Sequence, residues 1–305
     1  MKFLIFGHKG WIGSMVINLL NKQKIEFVCA SSRADDKIAV EEEIIKHSPT
    51  HIMSFIGRTH GITEDGTKYP TIDYLEQKGK LKENIRDNIF APMVLGLLCK
   101  KYNIHFTYLG TGCIFDYDTI HLFGNEQTGF NENDIPNYFN SSYSTVKGYT
   151  DQLMHLLEDN CLNLRIRMPI NDKLDPRNFI TKILNYEYIC SIPNSMTVLD
   201  DLLPCAVEMA INKETGTINL TNPGVITHNE ILEMYRDIID PTFTWKNFTL
   251  EDQANVLKAD RSNNCLSTNK IQLIFPELKN INDAVRDVLY KMKKDDESKV
   301  NCNIS

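Results

Sequence analysis

The sequence predicts an α/β fold with a doubly wound parallel sheet and a smaller C-terminal lobe. A short apolar run over residues 2–6 leads into glycines spaced G-x-x-G-x-x-G and then into a helical pattern from Trp11 to about Asn21. Similar apolar runs then alternate with helical patterns, which indicates repeated βαβ units and a parallel sheet. A chain of 305 residues suits one large domain, or a large domain and a smaller one.

The glycine-rich turn after the first strand predicts a dinucleotide-binding site. Gly7 allows a sharp turn, Gly10 leaves the backbone open to a pyrophosphate, and Gly13 lets the helix pack close to the strand. The phosphates would lie at the helix N-terminus, where free N–H groups favour negative charge. The residues expected at the cofactor on this turn are Gly7, Lys9, Gly10, Trp11, Ile12 and Gly13. The alternative is an ordinary turn between a strand and a helix.

The second strand, predicted over residues 24–30, ends in Ser31-Ser32-Arg33. Dinucleotide folds that prefer NAD usually carry an acidic residue at this point, about 20 residues beyond the glycines. An arginine can instead pair with the 2′-phosphate of NADP. We therefore expect NADP(H) as the cofactor, with Ser32 and Arg33 beside it. The alternative for Arg33 is a solvated surface arginine.

The next elements bring a second group of candidate residues to the same edge. The patterns predict a helix over 36–46, a strand over 49–56, a polar loop over 59–74 above the site, a helix over 81–102 and a strand over 104–109. Ligands of such sheets bind at the carboxyl ends of the strands. We therefore expect Thr111, Gly112 and Cys113, which follow the fourth strand, at the mouth of the ligand crevice.

A Tyr-x-x-x-Lys pair opens the helix predicted over 142–157. Tyr143 and Lys147 are four residues apart, so they share one helix face. Tyrosine is a poor acid–base group at neutral pH, but a nearby ammonium group makes its phenolate easier to form. Lys147 could also hold the nicotinamide ribose, and Thr111 could bond a substrate carbonyl. The alternative for such a pair is a turn of a surface helix.

The second half of the chain predicts a fifth strand over 161–167 and a helix over 197–212. Further on, Thr227 and Glu230 form a capping-box pattern, in which the two side chains satisfy free N–H groups at a helix start. This pattern favours a structural role for His228 over a catalytic one.

The expected domains follow from these elements. Residues 1–168 should form the cofactor domain, whose sheet later segments complete, and residues 169–292 should form mainly a substrate-binding lobe. A last helix is predicted over 281–292. The polar and charged residues 293–305 predict a disordered tail.

Composition excludes several classes of protein. The formal net charge of −7 argues against a nucleic-acid partner. The 8 cysteines lack C-x-x-C or other metal-ligand spacing, so we expect reduced thiols, no metal site and a cytoplasmic location. The N-terminal apolar run is interrupted by Gly7, His8 and Lys9 and is too short for a signal segment or a membrane span, so no membrane partner is expected.

Longer stretches carry a more specific resemblance. They are GWIG at 10–13, GTGCIF at 110–115, RMPI at 167–170, PRNFITK at 176–182, IPNSMTVLD at 192–200, TNPG at 221–224, HNEILEMYR at 228–236, WKNFT at 245–249 and RSNN at 261–264. With these stretches the chain resembles the nucleotide-rhamnose synthase/epimerase-reductase, an extended short-chain dehydrogenase/reductase on a Rossmann fold. The family occurs in plants and in some giant viruses, and the resemblance spans residues 1 to about 288.

The resemblance implies a bifunctional enzyme. Such enzymes invert C3 and C5 of a nucleotide-4-keto-6-deoxyglucose, usually the UDP form, and then reduce the C4 ketone with NADPH to give the nucleotide-L-rhamnose. Thr111, Tyr143 and Lys147 match the reductase triad. Cys113 matches the acid–base cysteine of the related GDP-fucose synthases, and Lys182 is the candidate for the opposing group. The alternative for Cys113 is a buried packing cysteine, and the alternative for Lys182 is a lysine on the surface of a helix.

The resemblance also implies substrate contacts and partners. The sugar nucleotide is expected to contact Thr111, Gly112, Cys113, Asn178, Arg261 and Asn263. The family usually forms homodimers through the helices predicted here over 81–102 and 142–157. The 4-keto substrate implies a separate 4,6-dehydratase upstream. The expected location is the cytoplasm, which would be that of the host if the source is a virus.

The chain departs from the family pattern at two places near the expected cofactor and substrate. Ser54-Phe-Ile-Gly57 stands where these enzymes often have Asn-Ala-Ala-Gly, and the loop over 58–69 is longer than the family pattern.

A second interpretation of the function is a reductase alone, of the dTDP-4-dehydrorhamnose reductase type, which would need neither Cys113 nor Lys182. A third is a catalytically silent NADP-binding regulatory subunit, against which the retained triad argues.

Overall fold

Six parallel strands form the central sheet of the molecule, which a computed structural model describes for residues 1–302, with side chains as far as residue 294. The strands are β1 (Phe3–Phe6), β2 (Phe27–Cys29), β3 (His51–Ser54), β4 (His105–Thr111), β5 (Cys161–Ile166) and β6 (Gly216–Asn219). Their spatial order is β2-β1-β3-β4-β5-β6, and Phe3 lies opposite both Phe27 and His51. The expected doubly wound α/β fold is confirmed.

Helices cover both faces of this sheet. They are α1 (Trp11–Lys22), α2 (Lys37–His47), α3 (Leu81–Ile85), α4 (Ala91–Tyr102), α5 (Ser142–His155), α6 (Phe179–Leu184), α7 (Leu199–Ile211), α8 (His228–Ile238), α9 (Leu250–Val256), α10 (Asn269–Ile274) and α11 (Ile281–Cys302). Within the described residues, no helix is both long and apolar enough to cross a membrane.

Apolar layers hold the helices against the sheet. On one face Phe6 of β1 belongs to a cluster with Val40 of α2 and Leu95 of α4. On the other face Ile5 belongs to a cluster with residues of α1 and with Leu203 of α7. Because both faces are covered, the four residues of β1 are all buried, which explains why the strand is a continuous apolar run.

The strand order reverses direction at β1, and this reversal creates the ligand crevice. β2 pairs with one side of β1, whereas β3 pairs with the other side. The connections that leave the carboxyl ends of β1 and β3 therefore diverge and open a crevice between them. Gly7 follows β1 and Phe55 follows β3 at this crevice, so the glycine turn lies where ligands of such sheets bind.

The second half of the chain builds a separate apolar core beside the sheet. Ile180 of α6, Ile231 of α8 and Val285 of α11 belong to this core. Two short strands, Tyr188–Ile189 and Lys246–Asn247, pair in parallel in the same part of the chain. By contrast, α7, α10 and β6 pack with β5 in the core of the sheet, so segments of the second half complete the sheet and its packing.

Three elements differ from the expectations. The last helix was expected to end at residue 292, with a disordered tail after it, but α11 continues to Cys302 because residues 293–302 contain no glycine or proline and many helix-compatible Lys, Asp and Glu. Residues 303–305 of the expected tail lie outside the described part. The segment over 59–74 is a hairpin (Gly61–Ile62 with Lys68–Tyr69) followed by a 3₁₀ turn rather than a plain loop.

The third difference is a π-helical turn, Arg86–Phe90, between α3 and α4 in the helix predicted over 81–102. Its cause is Pro92 in the first turn of α4, which has no N–H and whose ring would clash with the carbonyl of Asn88 in a regular helix. The turn leaves the carbonyl of Asn88 free to accept a hydrogen bond from the Thr150 hydroxyl at 2.7 Å, which ties this helix to α5.

Candidate active site

The turn after β1 is shaped by the sterics of its glycines. Gly7 has a φ of +77°, and a Cβ there would lie 2.8 Å from the carbonyl carbon of Phe55. A Cβ on Gly13 would lie 2.3 Å from the carbonyl oxygen of Gly7, so the fold itself requires glycine at both positions. A Cβ on Gly10 would meet only that same oxygen, at 3.2 Å. The space in front of Gly10 is therefore open to a ligand.

The N-terminus of α1 offers backbone donors to that space. Its N-cap, Gly10, makes no side-chain capping bond, and the first turn contains no acidic residue. Trp11 and Ile12 thus begin the helix with uncapped N–H groups, and Lys9 is an exposed cation beside them. The guanidinium of Arg177 lies 5.9 Å from the ring centroid of Trp11. These features fit the pyrophosphate of a dinucleotide.

The end of β2 is organised by a buried carboxylate that the sequence analysis missed. Glu43 accepts hydrogen bonds from the N–H of Ser31 at 2.8 Å and from the N–H and hydroxyl of Ser32 at 2.9 and 2.5 Å. Burial alone would raise the pKa of Glu43, but these hydrogen bonds hold it below its ordinary value. The side chain of Arg33 is 65% exposed and pairs with Asp35 at 2.9 Å. Arg33 can therefore reach a ligand, whereas the donors of Ser32 are already engaged.

Three expected catalytic side chains meet at the carboxyl end of β4. Thr111 is the last residue of β4, and Tyr143 and Lys147 lie on the first turns of α5. All three are buried, and Thr111 lies close enough to Tyr143 to lower the pKa of its phenol in part. Burial, and then the nearby Cys113, raise the pKa of Tyr143 well above its ordinary value. The Tyr143 phenol therefore carries a proton at neutral pH.

Lys147 has a partner that the sequence did not predict. Its ammonium group donates a hydrogen bond to the hydroxyl of Tyr108 and lies 4.5 Å from the centroid of that ring. Tyr108 is 1% exposed and belongs to β4. Burial lowers the pKa of Lys147 to about 8, while Asp151 and Cys113 act in the opposite direction. The fully buried Arg165 in turn pairs with Asp151 at 2.7 Å.

Cys113 lies on the loop after β4, beside the triad. Its N–H donates to the hydroxyl oxygen of Thr111 at 3.1 Å, and its thiol is free and partly exposed. The side chain packs against a buried cluster of Tyr74, Leu75 and Tyr143. Cys113 is thus a partly accessible thiol next to Tyr143 rather than a fully buried packing cysteine.

Lys182, on α6, lies near enough to Cys113 and Arg261 for their charges to act on its pKa. Burial, and then the charge of Arg261, lower the pKa of Lys182, whereas Cys113 and Asp175 act in the opposite direction. The ammonium group therefore lies within electrostatic range of the Cys113 thiol. Its partial burial distinguishes it from an ordinary surface lysine.

Asn178, expected to contact the diphosphate, holds the start of α6 instead. Its side chain is fully buried, and its carboxamide oxygen accepts from the N–H of Ile180 at 3.1 Å as the N-cap. Its amide nitrogen donates to the carbonyls of Asn171 at 2.8 Å and Lys173 at 2.7 Å. No donor remains for a ligand, so the role of Asn178 is to fix the helix that presents Lys182.

Arg261 and Asn263 border the cleft from the C-terminal half. The guanidinium of Arg261 pairs with Asp73 at 2.5 Å, and Asp73 also accepts from the N–H of Ala259 at 3.0 Å. The N–H of Asn263 donates to Asp116 at 2.9 Å. Asp73 belongs to the segment over 59–74, so this segment is fastened to the chain that carries Arg261.

A buried arginine joins the two halves of the site, and sequence reasoning missed it. Arg167 is fully buried after β5 and donates to the carbonyl of Gly112 at 3.0 Å and to the hydroxyl of Ser262 at 2.9 Å. It also donates to Asn194 at 2.5 Å, while Asn264 donates to the same Gly112 carbonyl at 2.9 Å. This network fixes the Thr111–Cys113 loop against the segment that carries Arg261 and Asn263.

A cavity of about 330 Å³ lies between the loop after β4 and the C-terminal half of the chain. The loop after β4 contributes Tyr117, Phe123 and Tyr138 to its wall, and the C-terminal half contributes Leu250, Asp260 and Arg261. Arg261, which lines this cavity, is also near enough to Lys182 to lower its pKa. In the described part of the chain, no group of three or more His, Cys, Asp or Glu side chains could hold a metal ion.

A glycine turn at the switch point of a parallel sheet, followed by a Thr-Tyr-Lys triad at the end of β4, defines a short-chain dehydrogenase/reductase. No family model matches the chain. The chain is 57% identical over 293 residues to the uncharacterized protein L780 of Acanthamoeba polyphaga mimivirus, which covers 96% of this chain and 99% of L780. The crystal structure of the L780 UDP-rhamnose synthase of that virus matches the fold with a TM-score of 0.91 over the same shares.

Plant relatives match over the same length. A bifunctional dTDP-4-dehydrorhamnose 3,5-epimerase/dTDP-4-dehydrorhamnose reductase of Arabidopsis thaliana is 43% identical, covering 97% of this chain and 95% of the plant protein. A trifunctional UDP-glucose 4,6-dehydratase/UDP-4-keto-6-deoxy-D-glucose 3,5-epimerase/UDP-4-keto-L-rhamnose-reductase of the same plant is 42% identical over 96% of this chain but only 42% of its own length. The chain therefore belongs to the nucleotide-rhamnose synthase/epimerase-reductase family, which confirms the resemblance.

A more distant structure agrees in fold alone. The dTDP-4-dehydrorhamnose reductase of Bacillus anthracis, solved in complex with NADP, is 14% identical and covers 94% of this chain and 96% of its own. Its TM-score is 0.73. The extended short-chain dehydrogenase/reductase architecture is therefore retained where the sequences have diverged.

Proposed function

We propose that the protein is a bifunctional 3,5-epimerase and NADPH-dependent 4-reductase that converts UDP-4-keto-6-deoxy-D-glucose to UDP-L-rhamnose. The observation that carries the proposal is that Cys113 packs beside Tyr143 and that Lys182 lies within electrostatic range of Cys113, in addition to Thr111, Tyr143 and Lys147. A reductase alone needs only the last three. The identities with L780, a UDP-rhamnose synthase, and with the bifunctional plant enzyme support the same pair of reactions.

The cofactor of this reaction is NADPH, which supplies the hydride for C4 when it is bound. The open space at Gly10 and the uncapped N–H groups of α1 suit its pyrophosphate. The exposed guanidinium of Arg33 suits its 2′-phosphate. Lys147 is the group that would bond the nicotinamide ribose. The donors of Ser32 reach the phosphate only if they leave Glu43, so Arg33 carries most of the preference for NADP.

Epimerisation needs two acid–base groups on opposite faces of the sugar. The C4 ketone acidifies the protons at C3 and C5, and loss of either proton leaves an enolate whose oxygen the hydroxyls of Thr111 and Tyr143 can bond. One of the pair Cys113 and Lys182 takes the proton, and the other returns a proton to the same carbon from the opposite face. Burial favours the neutral amine of Lys182, which can accept a proton.

Reduction needs a proton at the C4 oxygen while hydride adds to the C4 carbon. Tyr143 holds that proton because burial raises its pKa. Thr111 donates a hydrogen bond to the same ketone, and the charged form of Lys147, which predominates below about pH 8, stabilises the phenolate that remains. The C4 carbonyl thereby becomes an alcohol, and NADPH is oxidised to NADP⁺.

The proposed assembly is a homodimer through α4 and α5. Large apolar side chains are exposed along these helices and the π turn before them, namely Phe90, Leu97, Tyr149 and Leu156. A row of exposed apolar side chains on neighbouring helices is typical of a protein interface. A second copy that presents the same row would cover it.

The proposed setting is a cytoplasm that also contains a 4,6-dehydratase. The 4-keto substrate must come from such an enzyme, which is a further activity of the longer plant relative. The seven cysteines whose side chains the structure describes are all free thiols, which suits a reducing compartment. For a viral protein, this compartment is the host cytoplasm.

The two chemistries should be separable by substitution, which tests the proposal. Tyr143→Phe should abolish NADPH oxidation because the proton for the C4 oxygen is lost, but it should still allow solvent deuterium to enter C3 and C5 of the sugar. Cys113→Ala should reduce that deuterium incorporation by about 10²-fold or more, since one acid–base group is lost. Mass spectrometry and NMR of the sugar in D₂O measure both. Wild-type exchange at both carbons in Cys113→Ala would contradict the assignment of Cys113.

A further inference from the structure

The helix that carries Tyr143 begins at a carboxylate from another part of the chain. Glu76 accepts a hydrogen bond from the N–H of Ser142 at 2.7 Å and another from the Ser142 hydroxyl at 2.8 Å. Ser142 is the first residue of α5, and Tyr143 is the second. The first N–H groups of a helix have no partner within it, so this carboxylate satisfies one of them and is also favoured by the helix dipole.

The start of α5 therefore has two caps of different origin. The hydroxyl of Ser141, the N-cap, accepts a hydrogen bond from the N–H of Ser144 at 3.1 Å. This contact is local to the helix, whereas Glu76 precedes Ser142 by 66 positions in the chain. The Ser141 cap keeps the first turn wound, and the Glu76 contact also fixes where that turn lies in the molecule.

The turn that presents Glu76 is itself anchored to the C-terminal half of the chain. Asp73, three residues before Glu76, accepts from the N–H of Ala259 at 3.0 Å and pairs with Arg261 at 2.5 Å. Gln77 donates to the carbonyl of Asp73 at 2.7 Å, which closes the turn. The Glu76 carboxylate thus comes from a segment with a fixed position.

Side-chain packing adds a second contact between this turn and Tyr143. Tyr74 and Leu75 are 3% and 2% exposed and form one buried cluster with Tyr143. The hydroxyl of Tyr74 donates to Glu83 at 2.7 Å, so the Tyr74 ring is fixed as well. The turn therefore contacts both the ring of Tyr143 and the backbone of the helix that carries it.

The loop that carries Cys113 has a separate support. The carbonyl of Gly112 accepts a hydrogen bond at 3.0 Å from Arg167, which is fully buried. This bond does not depend on α5 or on the turn that presents Glu76. A substitution of Glu76 should therefore displace Tyr143 more than Cys113.

We propose that Glu76 is a positioning residue that holds Tyr143 at the C4 oxygen of the substrate by fixing Ser142. The inference rests on the proposed function for the role of Tyr143 as the proton donor in reduction. Proton transfer is sensitive to a displacement of about 1 Å. Glu76 should therefore matter for reduction more than for proton exchange at C3 and C5, which uses Cys113 and Lys182.

The test compares two rates on UDP-4-keto-6-deoxy-D-glucose. Glu76→Leu removes the acceptor and keeps a side chain of similar size. It should lower kcat for NADPH oxidation by about tenfold, with the KM values of NADPH and the sugar nucleotide little changed. Incorporation of solvent deuterium at C3 and C5, measured with NADP⁺ in place of NADPH, should stay near the wild-type rate. Glu76→Gln retains an acceptor for the N–H of Ser142 and should restore most of the reduction.

Glu230→Leu is the matched control, because Glu230 accepts from the N–H and the hydroxyl of Thr227, both at 2.7 Å, at the start of α8. It should lower both rates only in proportion to the fraction of unfolded protein, which urea denaturation measures. A wild-type kcat in Glu76→Leu, equal losses of reduction and exchange in that variant, or a Glu76→Gln variant as slow as Glu76→Leu would each overturn the inference.

Failure of this inference can be distinguished from failure of the proposed function. A wild-type protein that reduces the ketone without inverting C3 and C5 would contradict the proposed function, and the effect of Glu76→Leu on kcat would still test the role of Glu76. Rhamnose formation at the wild-type rate in Glu76→Leu would overturn the inference and leave the proposed function standing. No oxidation of NADPH by the wild type would overturn both.

Discussion

At the scale of single residues, the hydrogen bond from Lys147 to Tyr108 should help to set the pH at which NADPH oxidation is lost. The phenol oxygen accepts from the ammonium group and favours its charged form against the effect of burial. Tyr108→Phe should therefore lower the pKa of Lys147 below about 8 and move the loss of NADPH oxidation at high pH by roughly one unit toward neutrality. The pH profile of kcat for the 4-keto substrate measures this shift.

The control for that substitution is Tyr102→Phe, which removes a tyrosine hydroxyl bonded to Glu41 at 2.6 Å on the distant end of α4. It should leave the pH profile unchanged. Deuterium exchange at C3 and C5 should also persist in Tyr108→Phe, because this exchange uses Cys113 and Lys182. A profile that is identical in Tyr108→Phe and the wild type would show that Tyr108 has only a packing role.

Local sequence patterns predicted those site residues whose positions depend on a single helix turn or on the end of a single strand. The four-residue spacing of Tyr143 and Lys147 brings both to one helix face, and Thr111 and Cys113 come directly after a strand. Tyr108 could not be found in this way, because an aromatic residue inside an apolar strand ordinarily belongs to the core. Its contact with Lys147 depends on how α5 packs against β4, which no local pattern specifies.

At the scale of secondary-structure elements, α6 matters for the proposed epimerisation because its position determines the position of Lys182. Asn178 caps this six-residue helix, which carries Lys182. Asn178→Ala should lower the free energy of unfolding by about 1–2 kcal/mol through loss of the cap. It should also reduce deuterium exchange at C3 and C5, because Lys182 is no longer held. Urea denaturation and the exchange assay in D₂O measure the two effects.

Thr227→Ala is the matched control for this prediction. Thr227 caps α8 with a capping box completed by Glu230, so its loss should destabilise the protein by a similar amount. Deuterium exchange at C3 and C5 should fall in Thr227→Ala only in proportion to the fraction of unfolded protein. Equal losses of exchange in the two variants would mean that Asn178 affects catalysis only through stability.

Alternating apolar and helical patterns were sufficient to predict the strands and helices around the crevice. The exceptions have physical causes that lie outside such patterns. The π turn at Arg86–Phe90 results from one proline, and the 3₁₀ turn in the segment over 59–74 is held by Asp73, which bonds residues almost 190 positions further along the chain. The buried role of Asn178 likewise depends on carbonyls of the preceding loop.

At the scale of the whole molecule, buried histidines should make stability depend on pH. His51 is 2% exposed, and burial, followed by the charges of His105, Lys213 and the N-terminus, lowers its pKa from 6.5 to about 4. The unfolded chain therefore binds a proton between these values that the folded chain does not. The free energy of unfolding should fall as the pH decreases from about 6.5 to about 4, by about 3 kcal/mol for this group.

Urea denaturation at several pH values in this range measures the effect. His51→Gln should reduce the slope of the free energy of unfolding against pH, whereas His47→Gln, on the partly exposed last turn of α2, should not. Burial also lowers the pKa of His228 to about 4, so the His51 variant should keep part of the slope. A slope unaffected by His51→Gln would contradict this explanation.

The most direct test of the central claim is the product that one chain forms. Purified protein is incubated with UDP-4-keto-6-deoxy-D-glucose and NADPH, NADPH oxidation is followed by absorbance, and the sugar is identified by NMR. We predict UDP-L-rhamnose, with one NADPH oxidised for each sugar, because Cys113 packs beside Tyr143 and Lys182 lies within electrostatic range of Cys113. A C4-reduced D-sugar with unchanged C3 and C5, or no oxidation of NADPH, would contradict the account.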